Sequence, residues 1–183
     1  MGMAAPVYYT AGMVRALPDD GNRYEVVYGE LLLTPAPKLW HQRIVLRLAT
    51  ALEVFLARHP DAGVVFTAPA DISWGPDVLV QPDVFVADVG QARTLSWTSL
   101  QTLHLVAEVL SPSTARADRF IKRLRYREAG VPLYWVIDGE ERLVEVWTPG
   151  DDFPRVERDR LVWHPAEAPE ACELGLRELF RPV

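Results

Sequence analysis

A short apolar stretch with one acid in its middle constrains this chain more than any other feature. Residues 105–110 read LVAEVL, a strand pattern bounded by turn residues, and Glu108 is its only charge. An ionised carboxylate in a buried strand costs several kcal/mol unless a cation or hydrogen bonds compensate it. A Ser-Pro-Ser-Thr turn follows at 111–114, then a helix with Asp118, Lys122 and Tyr126 at successive four-residue steps. A metal ion and Lys122 are the two partners that the sequence offers to Glu108.

Lys122 carries a compositional argument of its own. The chain has two lysines, Lys38 and Lys122, against 17 arginines. A lysine among Arg119, Arg123, Arg125 and Arg127 therefore points to a task that needs a compact, rotatable amine. Asp118, one helical turn earlier, is placed to orient the ammonium, and Tyr126 reads as core packing with a polar tip.

The remaining pattern reads as scaffold around that carboxylate. Residues 1–20 suggest an arm or short helix, ending in Asp-Asp-Gly. Residues 24–27 and 30–33 flank Tyr28-Gly29 as a hairpin. Apolar residues at three- and four-residue steps predict a helix over 40–58, with His41 on its inward stripe. Two strands are expected at 64–74 and 78–87, the second interrupted by Gln81-Pro82-Asp83. A proline inside a strand marks an edge, a bulge or an end, and such irregularities re-aim side chains. Strands at 133–137 and 143–147 follow the basic helix. Residues 150–183 read as a loop-rich extension with a strand near 161–164 and a short amphipathic finish. The order predicts one α/β (α+β) domain over 1–183: a mixed sheet with helices packed against it.

Composition narrows the function classes. Apolar runs fall far short of the roughly 20 residues a membrane span needs, and the N-terminus lacks signal-peptide order. A single cysteine, Cys172, excludes an intrachain disulfide framework and a Cys-based zinc site, which points to the cytoplasm. The net charge of −6 gives no global attraction to nucleic acid. Six basic residues between 116 and 127 nevertheless face a single acid, Asp118. Arg116, Arg119, Arg123 and Arg127 are candidate phosphate contacts, and a solvated helix face is the equal alternative.

Asp83 and Glu108, on adjacent predicted strands, can converge on a divalent cation. Mg²⁺ (or Mn²⁺) typically uses one or two protein carboxylates, keeps several waters and takes further oxygens from substrate phosphate. A lysine beside such a centre stabilises developing charge or orients water.

The segments RYEVVYGELL, PAPKLWHQ, VLVQPDVFV, LVAEVLSPST and DRFIKRLRYREAGVPLYWVID resemble, in this order, the Uma2 family, also known as DUF820. That family of restriction-endonuclease type is assigned to the PD-(D/E)XK nuclease superfamily. The resemblance spans roughly residues 10–150 and implies a restriction-endonuclease-like core. It further implies Asp83 and Glu108 as ligands of Mg²⁺, Lys122 as catalytic lysine, DNA as substrate and a homodimer. Glu25 or Glu30 would supply a further acid, and His41 would meet phosphate or a metal-bound water. The superfamily usually places its lysine two residues after the second acid, and Leu110 stands there in this chain, so the lysine has moved to the following helix. The rival expectation is a nuclease fold kept as a non-catalytic module that binds a protein or nucleic acid. Hydrolysis of a smaller phosphoester is a third.

Overall fold

The computed structural model describes residues 7–182; the first six residues of the expected N-terminal arm lie outside the described residues. Thr10 caps the short helix α1 (Ala11–Arg15) by accepting from the Met13 amide. Strands β1 (Arg23–Val27) and β2 (Glu30–Thr34) form the expected hairpin. Its loop residues Tyr28 and Gly29 both have positive φ, 53° and 77°, the handedness that a two-residue hairpin loop requires. Helix α2 (Leu39–Leu56) turns Ile44, Leu48, Leu52, Phe55 and Leu56 into the core, with His41 buried on the same side.

Residues 64–87 depart from the sequence expectation in an informative way. The two expected strands are broken into β3 (Val64–Thr67), β4 (Ile72–Gly75), β5 (Val78–Val80) and β6 (Val84–Ala87). β4 pairs with β5 and β3 with β6, so the segment is one long hairpin bent at 68–71 and 81–83. Pro69 and Pro82 sit in the two bends, where a residue without an amide donor ends the ladder. The outer half joins the first hairpin in a four-stranded sheet, β2-β1-β5-β4. The inner half enters the six-stranded sheet that forms the middle of the molecule.

Helix α3 (Val89–Ala92), capped by Asp88, and a 3₁₀ turn at Trp97–Ser99 occupy the polar connection to β7 (Leu103–Val109). A π-helical turn, Ala117–Lys122, then leads into α4 (Arg123–Glu128). This crossover delivers β8 (Tyr134–Asp138) parallel to β7, and β9 (Leu143–Trp147) returns antiparallel. The tail adds β10 (Arg155–Glu157), β11 (Arg160–Trp163), β12 (Cys172–Gly175) and α5 (Leu176–Leu179). The large sheet has the order β10-β9-β8-β7-β6-β3, mixed as expected, and β11 pairs separately with β12. Among the described residues no helix is long and apolar enough to cross a membrane.

Side-chain parity divides the large sheet into two buried faces. Val84, Val86, Leu105, Ala107, Val109, Trp135 and Ile137 pack under α2, α5 and the β11–β12 pair. Phe85, Val106, Tyr134 and Val136 face the crossover helix and the four-stranded sheet. Glu108 shares parity with Val106, so it points to the second face, where Lys122 and Tyr126 descend from the helix.

The β8–β9 turn locks the start of α2. A Cβ on Gly139 would collide with the Trp40 ring and lie 2.8 Å from Ile44 Cδ1. Gly139→Ala is expected to lose about 1–3 kcal/mol by overpacking this contact, seen as a lower urea midpoint at unchanged slope.

Candidate active site

The antiparallel register sets Val84 opposite Ala107, so one step further along the ladder Asp83 faces Glu108. The two acids are stitched through the backbone. The Asp83 amide donates to Glu108 Oε2 at 3.3 Å, and the Val109 amide donates to Asp83 Oδ2 at 2.9 Å. Asp83 lies at the bend between the sheets, which lets its carboxylate reach two further elements. Arg23 Nη1, at the start of β1, donates to Oδ1 at 3.0 Å. His41 Nε2, in the first turn of α2, lies 3.1 Å from Oδ2. An ionised carboxylate only accepts, so Nε2 carries the proton.

Glu108 is met from the helix. Tyr126 donates its hydroxyl to Oε1 at 2.8 Å, and Lys122 Nζ donates to the same oxygen at 3.1 Å. The ammonium also lies 2.8 Å from Glu25 Oε2 and 3.3 Å from Asp118 Oδ1. The π-helical turn holds Asp118 and Lys122 on one inner face, a distortion typical of functional sites. The Gln81 amide fixes Glu25 by donating to Oε1 at 2.7 Å, and the Tyr134 hydroxyl donates to the Asp118 carbonyl at 3.0 Å. Glu25, Glu108, Asp118 and Lys122 are 0%, 1%, 2% and 1% exposed, so this is a charge network inside the protein.

Fully ionised, its carboxylates would outnumber its permanent cations. Four carboxylates, Glu25, Asp83, Glu108 and Asp118, face the cations Arg23 and Lys122. Burial alone would raise the Asp83 carboxyl, but His41, Arg23 and the Val109 amide hold it well below the usual carboxylate range. Burial pushes Glu108 well up, with Asp118, Asp83 and Glu25 adding repulsion that Lys122 only partly offsets. Asp118 is raised by burial too, against Lys122 and Thr114. Burial works against the Lys122 ammonium, yet Glu108, Glu25 and Asp118 raise its pKa well above the ordinary lysine value, so it stays charged. Glu25 Oε2 and Asp118 Oδ1 lie within ion-pair reach of Nζ but make no directional hydrogen bond.

A cleft of about 980 Å³ opens onto Arg23, His41, Asp83, Glu108 and Asp118. Lys122 and Glu25 line a separate cavity of about 120 Å³ behind them. Among the described residues no three His, Cys, Asp or Glu side chains form a ready metal cage. Mg²⁺ does not require one, since two carboxylates and retained waters suffice. Two adjacent carboxylates that line the cleft are hard oxygen donors of the kind such an ion takes.

The other expected residues are placed differently. Glu30 is exposed at the hairpin end, away from the network. Arg119 pairs with Glu145 at 2.7 Å and Asp138 at 3.1 Å, and Arg123 stacks over the Trp147 ring at 4.3 Å. Arg116 and Arg127 are exposed, and none of these four arginines lines the cleft. Arg23 escaped the sequence reading. Its signal was its place two residues before Glu25, which puts both on one face of a strand.

Removing Lys122 leaves three buried carboxylates without their cation. Lys122→Met should cost about 3–5 kcal/mol in urea unfolding. Because burial raises Glu108 and Asp118 above their unfolded values, their ionisation as pH rises disfavours the folded state. The deficit of Lys122→Met is therefore expected to be smaller near about pH 5 than near about pH 8. Adding Glu25→Gln to it should recover part of the loss at the higher pH.

Comparisons with known proteins bear on this geometry. The chain matches the Uma2 family, described as "Putative restriction endonuclease", over residues 13–176. No curated protein matches it. Among solved structures it is similar to a protein from Anabaena variabilis ATCC 29413 described as "a putative nuclease belonging to DUF820". The two are 23% identical and superpose with a TM-score of 0.76 over 93% of this chain and 97% of that one. The shared fold is the mixed sheet with flanking helices, and the family match extends from α1 to the start of α5. The chain belongs to the Uma2 family.

Proposed function

We propose that the protein is a divalent-cation-dependent nuclease that hydrolyses DNA phosphodiesters at the cleft beside Asp83 and Glu108. The observation that carries this reading is the pair itself: two carboxylates on neighbouring strands, side by side at an open cleft and backed by a buried ionic network. Family membership supports the nuclease class.

Asp83 and Glu108 hold the cation, Mg²⁺ or Mn²⁺. When bound, that ion supplies positive charge at the scissile phosphate and acidifies water. The protein's own groups do the rest. His41 and the Val109 amide fix the Asp83 carboxylate, and Tyr126 fixes that of Glu108. Lys122 keeps Glu108 oriented from the side away from the cleft. Glu25 and Asp118 hold the ammonium in place and charged. The network of Asp83, Glu108 and Lys122 is complete, which weighs against a degraded, purely binding module.

The test is calorimetric titration of Mg²⁺ and Mn²⁺ into wild type, Asp83→Asn and Glu108→Gln, with plasmid cleavage alongside. Both substitutions should abolish metal binding and lower cleavage by about a hundredfold or more. A flat titration of wild type, with DNA present, would sink the reading.

A further inference from the structure

Arg23 is the one cation that touches the carboxylate pair from the cleft side. Its Nη1 donates to Asp83 Oδ1 at 3.0 Å, and its side chain keeps 20% exposure while Asp83 is almost sealed. Basic residues lining the cleft are Arg15, Arg23 and Lys38. Arg15 is paired with Asp71 at 3.4 Å and Lys38 is exposed at the start of α2. The arginines of the crossover helix do not line it. Arg23 and His41 are the cleft-lining groups that reach Asp83, and Arg23 is the one that stays charged at all ordinary pH.

Its hydrogen bonding is incomplete. Arg23 Nε is buried and has no partner. Nε is likewise unpartnered in Arg43, Arg47, Arg123 and Arg125, so what sets Arg23 apart is its place at the cleft against Asp83. Nε and the neighbouring Nη form the planar fork that matches two oxygens of a phosphate. A guanidinium that lines the cleft beside acids suited to a cation has the chemistry that phosphate recognition needs.

We propose that Arg23 is both the resting counter-ion of Asp83 and the residue that grips the scissile phosphate. Without a divalent cation the guanidinium neutralises Asp83. When the cation takes Asp83, Arg23 releases it and turns its fork to the non-bridging oxygens of the phosphodiester. Arg23 therefore competes with the cation for Asp83 and cooperates with it on the substrate. The inference rests on the proposed nuclease reading and deepens it by naming the group that reads the phosphate.

Competition makes the idea testable without turnover. Titration of Mg²⁺ into the full chain lacking DNA should show Arg23→Gln binding the ion about tenfold tighter than wild type, because a cation facing the site is gone. Plasmid cleavage by the same variant should fall about a hundredfold in kcat/KM. Arg23→Lys keeps the charge at Asp83 but lacks the fork. It should keep a metal affinity close to wild type and still lose about tenfold in cleavage. If Arg23→Gln does not fold, Arg23→Lys carries the test, and undiminished cleavage by it would overturn the proposal. Unchanged or weaker Mg²⁺ binding by folded Arg23→Gln, with wild type binding the ion, would overturn it while leaving the nuclease reading intact. No Mg²⁺ binding by wild type would end both.

Discussion

The contact between Lys122 and Glu108 is the constraint around which the rest of the molecule is arranged. A carboxylate within the central sheet would unfold its own strand's environment unless positive charge and hydrogen bonds reached it. The ammonium that reaches it sits equally far from water, and so draws in Glu25 from β1 and Asp118 from its own helix. Glu25 in turn is fixed by the amide of Gln81, at the bend that presents Asp83. Each group is tolerable only because the others are present. A buried ionic cluster of this kind is seldom the most stable filling for its volume, since well-packed apolar residues often serve as well or better. Stability alone gives no reason for this chain to keep it, and a cleft opening onto its acids does.

The bent hairpin explains why the network can meet a substrate at all. Had residues 64–87 run as two straight strands, Asp83 would have stayed in a ladder and its carboxylate would have faced only the sheet's second layer. Breaking both strands at Pro69 and Pro82 passes the chain from one sheet to the other. Asp83 sits at that corner, reachable by Arg23 from the small sheet and His41 from α2. The acids thus lie where two sheets and a helix end meet, and the open space there is the cleft.

Much of this was legible in the chain. Glu108 among apolar neighbours, the four-residue spacing of Asp118, Lys122 and Tyr126, and one lysine in an arginine-rich helix all pointed to the network that the structure assembles. The hairpin at Tyr28-Gly29 and the stripe of α2 were plain from local pattern. What local pattern lacks is knowledge of which sheet a strand joins. Alternation in 78–87 is the same whether the strand is continuous or handed between sheets, so Pro82 marked an irregularity without revealing a corner. β10 went unseen because Arg155, Val156 and Glu157 carry no apolar alternation and pair at an edge. Arg23 went unseen because its partner is 60 residues away in sequence.

The basic helix shows how the surroundings of a charge run divide its work. Residues 116–127 are the most basic segment of an acidic protein, yet Arg119 is spent on Asp138 and Glu145 and Arg123 on the Trp147 ring. These contacts anchor the crossover helix to β8 and β9, which fixes the depth at which Lys122 and Tyr126 enter the core. Arg119 and Arg123 therefore act on the site through its scaffold, while Arg116 and Arg127 stay exposed. Charge facing a substrate comes instead from the few cations of the cleft, against a net charge of −6 that repels a polyanion. With so little long-range attraction, the proposed recognition of a phosphodiester would depend on close contacts, and the corner that holds Asp83 and Arg23 is where this fold would supply them.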